Sequence, residues 1–242
     1  MLRLEHISWN TPEGTKVLDD LSLTAPDGKL TVITGPNGGG KTTLAKIIAG
    51  IEKPASGRVY LDDMDITDLD VTQRARLGVS YAFQQPVRYK GITVRQLVEL
   101  ASGTTLDEAA LCAVLSRVGL CAREYIDREV NSTLSGGEIK RIEIATVLAR
   151  HTRLSVFDEP EAGIDLWSFA NLIDVFQDMR RSLKGTLLII SHQERILKIA
   201  DEIAVVAGGR VSRQGGASDV MGDLLACSPM AENCVKQEAV FE

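Results

Sequence analysis

The segment Gly35–Thr42 constrains this chain more than any other, because its residue types and their spacing together specify a ligand. It has the pattern G-x-x-x-x-G-K-T and stands between an apolar run, Leu30–Thr34, and a segment of helical character, Leu44–Ala49. A strand, a glycine-rich loop and a helix in this order form a phosphate-binding loop, in which backbone N–H groups and the positive end of the helix dipole face the phosphates. The chain is therefore expected to bind a nucleoside triphosphate.

The residues of this loop have distinct expected roles. Lys41 is long enough to reach the β- and γ-phosphates, and the hydroxyl of Thr42 is a suitable oxygen ligand for the Mg²⁺ that accompanies a nucleoside triphosphate. A flexible glycine loop without a ligand is the alternative, and the flanking strand and helix disfavour it. The residues predicted to bind the nucleotide here are Gly35, Pro36, Asn37, Gly38, Gly39, Gly40, Lys41, Thr42 and Thr43.

The composition is typical of a globular protein rather than a membrane-embedded one. The 242 residues suffice for one large α/β domain, and the formal net charge of −6 disfavours a broad nucleic-acid-binding surface. No apolar run approaches the length of about 18 residues that a spanning helix needs, and the N-terminus has no signal-peptide pattern. We therefore expect a cytoplasmic protein with no nucleic-acid partner and no direct membrane insertion.

The four cysteines, Cys112, Cys121, Cys227 and Cys234, match no zinc-binding or CxxC spacing, so reduced structural thiols are expected. Cys227 and Cys234 lie in a polar C-terminal tail, residues 227–242, and this pair is the one candidate for metal or redox chemistry. The tail is expected to be poorly ordered.

The first 25 residues are expected to form an antiparallel hairpin. Apolar and polar residues alternate in Leu2–Trp9 and in Lys16–Ala25, and Pro12–Gly14 supply a turn between them. Trp9 is a candidate for stacking against the nucleotide base, and an ordinary hairpin aromatic without a ligand is an alternative of equal weight.

The rest of the chain alternates between short apolar segments and segments of helical periodicity, which predicts a mostly parallel sheet. From Thr93 to Leu120 the periodicity is helical, and Ser135 precedes a long helix that ends near Arg150. We expect one α/β domain with a mixed, mostly parallel sheet, an N-terminal antiparallel part and a helical subdomain. The predicted division is residues 1–85 and 151–226 for the nucleotide-binding core, 86–150 for the helical subdomain and 227–242 for the tail.

Asp158 and Glu159 follow the apolar segment Leu154–Phe157, and open α/β sheets bind their ligands at the carboxyl ends of such strands. One carboxylate is expected to hold Mg²⁺, usually through water. The adjacent one points the other way on an extended backbone, so it is able to polarise the water that attacks the phosphate. Asp158–Pro160 taken alone also fits a simple turn after a strand, and the phosphate loop favours the catalytic interpretation.

The segment Leu134–Glu138, with Lys140 and Arg141 in the helix that follows, resembles the signature motif of ATP-binding-cassette (ABC) ATPases. It stands after the phosphate loop and before Asp158, which is the order of the motifs in that family. A helix N-terminus at this point is a second anion-binding end, although the same residues in isolation also fit a simple helix cap. The resemblance covers nearly the whole chain and implies a P-loop NTPase fold of the ABC type.

The same resemblance implies roles for further residues. Gln84 matches the family's Q-loop, Asp165 in Ala162–Asp165 matches its D-loop, and His192 matches its switch histidine. A lone histidine after a strand is more often structural, and its place in this ordered set of motifs favours the functional role. The implied catalytic residues are Lys41, Gln84, Glu159 and His192, and the implied metal ligands are Thr42, Gln84 and Asp158.

By resemblance, the active form is an ATP-dependent head-to-tail dimer of cassettes. ATP and Mg²⁺ are implied to lie between the phosphate loop of one copy and Ser135, Gly136 and Gly137 of the other, with Asp165 also near the nucleotide. The implied reaction is hydrolysis of ATP to ADP and phosphate, in which the second helix N-terminus stabilises charge only when the dimer closes.

Three segments resemble one branch of the family, the SufC-type ATPases of the SUF system for iron–sulfur cluster assembly. They are Tyr81–Val87, Glu161–Asp165 and Ser191–Leu197. This branch implies a SufB/SufD-type scaffold protein as the partner, whose rearrangement the ATPase drives. Asp158–Pro160 departs from the branch and follows the transporter form, and the helical segment before Ser135 is shorter than in typical SufC-type chains.

The alternative is the nucleotide-binding subunit of a membrane ABC transporter. ATPases of DNA repair or translation carry a long coiled-coil insertion or tandem cassettes, which this sequence lacks. In either of the two leading interpretations the surface formed by residues 84–91 is expected to dock the partner, because it combines apolar side chains with a basic rim. This patch consists of Pro86, Val87 and Tyr89, with Arg88 and Lys90 at its rim.

Overall fold

Two β-sheets form the centre of the fold in the computed structural model, which describes residues 1–85, 87–131, 133–150, 152–182 and 185–226. Both sheets are assembled from short strands that are separated along the chain by helices and turns. The strands are β1 (Leu2–Asn10), β2 (Lys16–Ala25), β3 (Leu30–Thr34), β4 (Ser56–Leu61), β5 (Met64–Asp65), β6 (Val79–Ala82), β7 (Leu154–Asp158), β8 (Thr186–Ile190), β9 (Glu202–Ala207) and β10 (Arg210–Gly216).

The smaller sheet is antiparallel and has the strand order β2-β1-β4-β5. In β1 the side chains of Leu2 and Leu4 are buried while those of Arg3 and Glu5 are partly exposed, so the alternation of the sequence places one face of the strand in the core. β1 and β2 pair directly with each other, which confirms the predicted hairpin.

The larger sheet has the order β10-β9-β3-β8-β7-β6 and is parallel except for the antiparallel pair of β9 and β10. β3, β7 and β8 are buried at every position, which explains why their sequences are continuous apolar runs rather than alternating ones. The phosphate loop, Glu159 and His192 follow the carboxyl ends of these three strands. The sheet therefore brings three of the predicted site segments to one edge.

The helices pack through their apolar faces, either on these sheets or on one another. Three of them begin with a capping box, at Asp70, Thr93 and Ser135, in which the cap side chain and the residue three positions later satisfy each other's backbone N–H groups. The helices are α1 (Lys41–Ala49), α2 (Val71–Arg76), α3 (Val94–Ser102), α4 (Glu108–Arg117), α5 (Ala122–Tyr125), α6 (Gly136–Ala149), α7 (Leu166–Ser182), α8 (Glu194–Ile199) and α9 (Ala217–Ala226).

The C-terminal end of α1 is held by a buried arginine. The guanidinium of Arg74, only 1% exposed, donates to the carbonyl oxygens of Ile47 and Ile48, and it also donates to those of Thr67 and Leu69. Burial lowers the pKa of Arg74 to about 10. The helix that starts at the phosphate loop is thus anchored at its far end by a cation that bonds to main-chain oxygens.

The predicted α/β class is confirmed, with its mixed sheet, its antiparallel N-terminal part and its group of helices between β6 and β7. The sequence interpretation left out α2, α5 and β5, which are too short to produce a periodic pattern. Asp70 and Gln73 do form a capping-box signature, which could have located α2. The division at residues 86–150 stays an interpretation, because one hydrophobic cluster joins Ile142 of α6 to Phe157 of β7.

Some predictions lie outside the described residues, namely those on Pro86 and on the tail with Cys227 and Cys234. Cys112 and Cys121 are free thiols and are exposed rather than structural. None of the helices within the described ranges is long and apolar enough to cross a bilayer.

Candidate active site

The phosphate loop depends on its glycines for backbone shape and for space. Gly38 and Gly40 adopt φ values of +78° and +97°, a left-handed region that other residues rarely occupy. At Gly35 the constraint is contact, since an added Cβ would lie 2.1 Å from the carbonyl oxygen of Val206. Gly40 is also the N-cap of α1 and has no side chain with which to cap it. The first N–H groups of α1 therefore face the loop without a side-chain partner.

Lys41 closes the loop from inside. Its side chain is buried, and its Nζ donates to the carbonyl oxygens of Gly35 and Pro36 at 2.8 Å each. These bonds hold the ammonium across the mouth of the loop, where a phosphate chain would lie. The cleft beside it has a volume of about 280 Å³ and is lined by Val17, Asn37, Gly38, Gly39, Gly40, Lys41, Thr42, Thr43, Gln84 and Glu159.

Asp158 forms the buried end of β7 and faces α1. Its Oδ1 accepts from the hydroxyl of Thr42 at 3.3 Å and its Oδ2 accepts from the hydroxyl of Tyr81 at 3.0 Å. Burial raises the pKa of the Asp158 carboxyl, against the opposing effect of these two hydrogen bonds. A buried carboxylate beside a threonine hydroxyl is the oxygen donor set that Mg²⁺ prefers, so the residues present fit the metal that the loop implies.

Glu159 turns away from Asp158 and lines the cleft. It has a φ of +45°, which is unusual for a residue with a Cβ, and its N–H donates to the carbonyl oxygen of Ile190 at 2.9 Å. Gln84 donates through Nε2 to Glu159 Oε2 at 2.6 Å. The predicted extended backbone at these two carboxylates is wrong, because Glu159 has a left-handed φ, and the structure brings Gln84 and Glu159 into direct contact.

A third carboxylate, that of Glu161, was not identified from the sequence as a site residue. It accepts from the hydroxyl of Ser191, which also accepts from the N–H of Gln193, so it fixes the loop that carries His192. Burial raises the pKa of Glu161. His192 itself is exposed and is not among the residues that line the cleft.

The signature residues lie on a different surface from the cleft. Ser135 caps α6: its hydroxyl accepts from the N–H of Glu138, and Glu138 Oε2 accepts from the N–H of Ser135 at 2.7 Å. An added Cβ at Gly137 would lie 3.4 Å from the carbonyl oxygen of Gly163, so this helix end abuts the segment that carries Asp165. Ser135, Gly136 and Asp165 are exposed.

Two more predicted contact sites, Trp9 and the partner-docking patch, do not line the cleft. Trp9 is half-buried against the antiparallel part of the core, and Val17 of the neighbouring strand lines the cleft in its place. Base stacking by Trp9 stays a prediction. Val87 and Tyr89 are exposed at the edge of an apolar pocket, which also includes Leu97 of α3 and Ile142 of α6, while Arg88 and Lys90 are exposed beside it.

Known proteins resemble this chain over most of its length. A family model described as ABC transporter matches residues 18–162. An uncharacterised ABC transporter ATP-binding protein of Methanocaldococcus jannaschii is 37% identical over 213 residues, which are 85% of this chain and 85% of that protein. The sn-glycerol-3-phosphate import ATP-binding protein of Bartonella quintana is 33% identical over 219 residues, 89% of this chain and 62% of that protein. The dimeric structure of an ATP-binding cassette bound to ADP and phosphate, in a post-hydrolysis state, has a TM-score of 0.80 and 25% identity, and covers 90% of this chain and 99% of that one.

Proposed function

The chain belongs to the ABC transporter family and is a Mg²⁺-dependent ATPase, and we propose that it serves as the ATP-binding subunit of a membrane transporter. The observation that carries the hydrolytic part is the contact between Gln84 and Glu159 at the edge of the phosphate-loop cleft. The transporter part is supported by relatives whose names describe them as ATP-binding proteins of transporters.

Several residues at or beside the cleft have a proposed part in the reaction. The N–H groups at the start of α1 and the ammonium of Lys41 bind the phosphates, and Thr42 and Asp158 hold Mg²⁺. Mg²⁺, when bound, offsets the negative charge that develops on the transferred phosphoryl group. Glu159 accepts a proton from the attacking water, and Gln84 keeps the Glu159 carboxylate turned into the cleft.

The proposed active form is a head-to-tail dimer. Ser135 and Gly136 are exposed and lie away from the cleft of their own chain, so the start of α6 is accessible to a nucleotide held by a second copy, although the N–H of Ser135 already donates to Glu138. The likeness to a dimeric cassette with ADP and phosphate supports this arrangement. One chain would then bind ATP, and two chains would hydrolyse it.

The partner is proposed to dock on the apolar pocket at the edge of α3 and α6. Val87 and Tyr89 are large apolar residues that remain 38% and 37% exposed in the isolated chain, next to the basic Arg88 and Lys90. An apolar centre with a polar rim is the usual composition of a protein interface. The pocket is also lined by Glu143, whose position in α6 connects it to the residue before Gln84.

A SufC-type role is the second candidate, and it is favoured by one specific observation. The segments that resemble that branch surround the catalytic contacts: Tyr81 donates to Asp158, Gln84 donates to Glu159, and Glu161 accepts from Ser191. In this role the same pocket would meet a SufB/SufD-type scaffold. The transporter form of Asp158–Pro160 weighs against it.

Affinity purification of the tagged chain from native membranes and from cytosol separates the two candidates. The transporter proposal predicts an integral membrane protein in the membrane fraction, and a soluble scaffold in its place would overturn that proposal in favour of the second. Val87→Asp should remove the partner, whereas Leu100→Asp, at a site on α3 that is 75% exposed and does not line the pocket, should retain it. Equal recovery with both variants would contradict the proposed docking site.

A further inference from the structure

Two charged side chains of α6 hold the main chain of Phe83, the residue before Gln84. The N–H of Phe83 donates to Glu143 Oε1 at 2.9 Å, and the Nζ of Lys140 donates to the carbonyl oxygen of Phe83. Lys140 and Glu143 are one turn apart on α6, and Lys140 Nζ lies 3.1 Å from Glu143 Oε2. Both hydrogen-bonding groups of a single residue are thus bound by one ion pair.

This ion pair is buried. The side chain of Lys140 is 0% exposed and that of Glu143 is 15% exposed. Removing two charges from water is costly, and a buried pair of this kind frequently adds no net stability compared with apolar residues of the same size. A buried pair that also binds both main-chain groups of Phe83 is suited to fix the position of that residue.

The main chain of Phe83, which the ion pair holds, lies beside the residues that contact the catalytic carboxylates. Gln84, the next residue along the chain, donates to Glu159 at 2.6 Å. On the other side, the ring of Phe83 packs edge-on against that of Tyr81 at 4.7 Å between centroids, and Tyr81 donates to Asp158. Along the chain, Phe83 therefore lies between the two residues that contact the two carboxylates of the active site, Tyr81 and Gln84.

We propose that Lys140 and Glu143 are positioning residues for ATP hydrolysis. They hold the N–H group and the carbonyl oxygen of Phe83 in place, so that the neighbouring Gln84 reaches Glu159. Because both side chains belong to α6, a movement of α6 also moves the contact between Gln84 and Glu159. The same helix carries Ser135 at its start, so the element that would meet the nucleotide of a second copy is tied to the hydrolytic residues of its own copy. The proposal rests on the ATPase activity and is independent of which partner the chain serves.

The first test compares two substitutions of Lys140 that have similar length. Lys140→Met removes the charge and the donor, whereas Lys140→Gln removes the charge and keeps a donor for the carbonyl oxygen of Phe83. We expect kcat to fall about tenfold in Lys140→Met and about threefold or less in Lys140→Gln, because small displacements of catalytic groups cost rate. The ATP dissociation constant should stay within about twofold in both, since the phosphate loop is untouched.

Hydrogen exchange of the nucleotide-free protein supplies a readout besides activity. A peptide that covers residues 79–85 should exchange about tenfold faster in Lys140→Met, since the hold on Phe83 is lost. Ile144→Ala is the control: it removes a fully buried side chain of the same helix, which lines a small pocket with Leu172 and Val175 of α7. It should lower the melting temperature without altering the exchange of residues 79–85 or kcat below the transition.

Glu143→Asp keeps the proposal testable if Lys140→Met fails to fold. It retains the negative charge and withdraws the carboxylate from the N–H of Phe83, so kcat should fall and residues 79–85 should exchange faster. Equal kcat for Lys140→Met and Lys140→Gln, or unchanged exchange in the folded variants, would overturn the positioning role. A wild-type chain without ATPase activity would refute the ATPase assignment instead, and the exchange measurement would still decide whether the ion pair holds Phe83.

Discussion

The N-termini of α1 and α6 are both suited to bind an anion, and they differ in what already occupies them. α1 begins at Gly40, which has no capping side chain, and its first turn opens onto the cleft. α6 begins at Ser135, which is engaged in a capping box with Glu138, and the Glu138 carboxylate also accepts from the hydroxyl of Tyr125. One helix end is open within its own chain, whereas the other is filled by its own carboxylate.

This difference affects ATP binding by a single chain and closure of the dimer in different ways. Hydrogen bonding from Tyr125, together with that from Ser135, lowers the pKa of Glu138 to about 2, so its carboxylate is ionised at neutral pH, with the guanidinium of Arg128 3.7 Å away. A phosphate from the nucleotide of a second copy would approach that charge, although the helix dipole favours an anion there. A single chain is therefore open to ATP at α1, while closure of the proposed dimer would bring a phosphate towards the ionised Glu138 at the start of α6.

The largest expected change in turnover comes from a substitution at the cleft beside α1. Glu159→Gln removes the carboxylate that would accept the proton of the attacking water and keeps its shape, so turnover should fall by about a hundredfold or more. ATP affinity should stay within about twofold, because the loop and Lys41 are intact. Phosphate release measured beside equilibrium ATP binding checks both parts.

The exposed Glu108→Gln on α4 is the matched control for the same chemical change and should retain wild-type turnover. Wild-type turnover in Glu159→Gln would remove the assignment of the general base.

A smaller effect is expected on the α6 side. Ser135→Arg places a long side chain where a second copy would present its nucleotide, so turnover should fall about tenfold to a hundredfold, while ATP binding by the single chain stays unchanged. Sizing chromatography with ATP in the Glu159→Gln background reports the dimer directly. The same substitution at the exposed Ser116 of α4 should leave the dimer intact, and an ATP-driven dimer that persists with Ser135→Arg would disprove the shared site.

Sequence reasoning located the α1 end more completely than the α6 end, for a physical reason. The phosphate loop is contiguous, and its glycines are required by local φ values and by contact with Val206. A short sequence pattern is therefore enough to identify the complete loop. The left-handed φ of Glu159 depends instead on a hydrogen bond to Ile190, which is far away in the sequence.

The environment of Glu138 follows the same rule. Ser135 and Glu138 are a recognisable capping box, but the hydroxyl of Tyr125 reaches Glu138 only through the packing of α5 beside α6. The hydrogen bonds of Lys140 and Glu143 to the main chain of Phe83 could not be predicted from the sequence either, since they join segments that are far apart in the chain. What the sequence could not predict is the set of contacts between segments.

Glu138→Gln tests the charge that distinguishes the two helix ends. The amide oxygen still accepts from the N–H of Ser135, and the amide NH2 group donates to the hydroxyl oxygen of Tyr125 in place of the second carboxylate oxygen, so the cap is retained and the negative charge is lost. We expect the ATP-driven dimer to become about threefold tighter, which corresponds to the usual strength of a charge at a helix end. Dimer dissociation constants in the Glu159→Gln background measure this, and a weaker dimer would show that the carboxylate supports closure instead.

The smallest expected effect is a difference in acid stability between the same two proteins. The pKa of Glu138 is lowered from 4.5 in the unfolded chain to about 2 in the folded chain. Its ionised form therefore stabilises the fold at pH values above about 4.5, and this stabilisation is lost as the pH falls from about 4.5 towards about 2. Glu138→Gln has no such group, and its free energy of unfolding should decline less over this range. Urea unfolding at several pH values compares the two slopes, with Glu108→Gln expected to follow the wild type. Parallel curves for wild type and Glu138→Gln would mean that the carboxylate at the start of α6 is no more stabilised than an exposed one, and the contrast with the open end of α1 would then lie in shape alone.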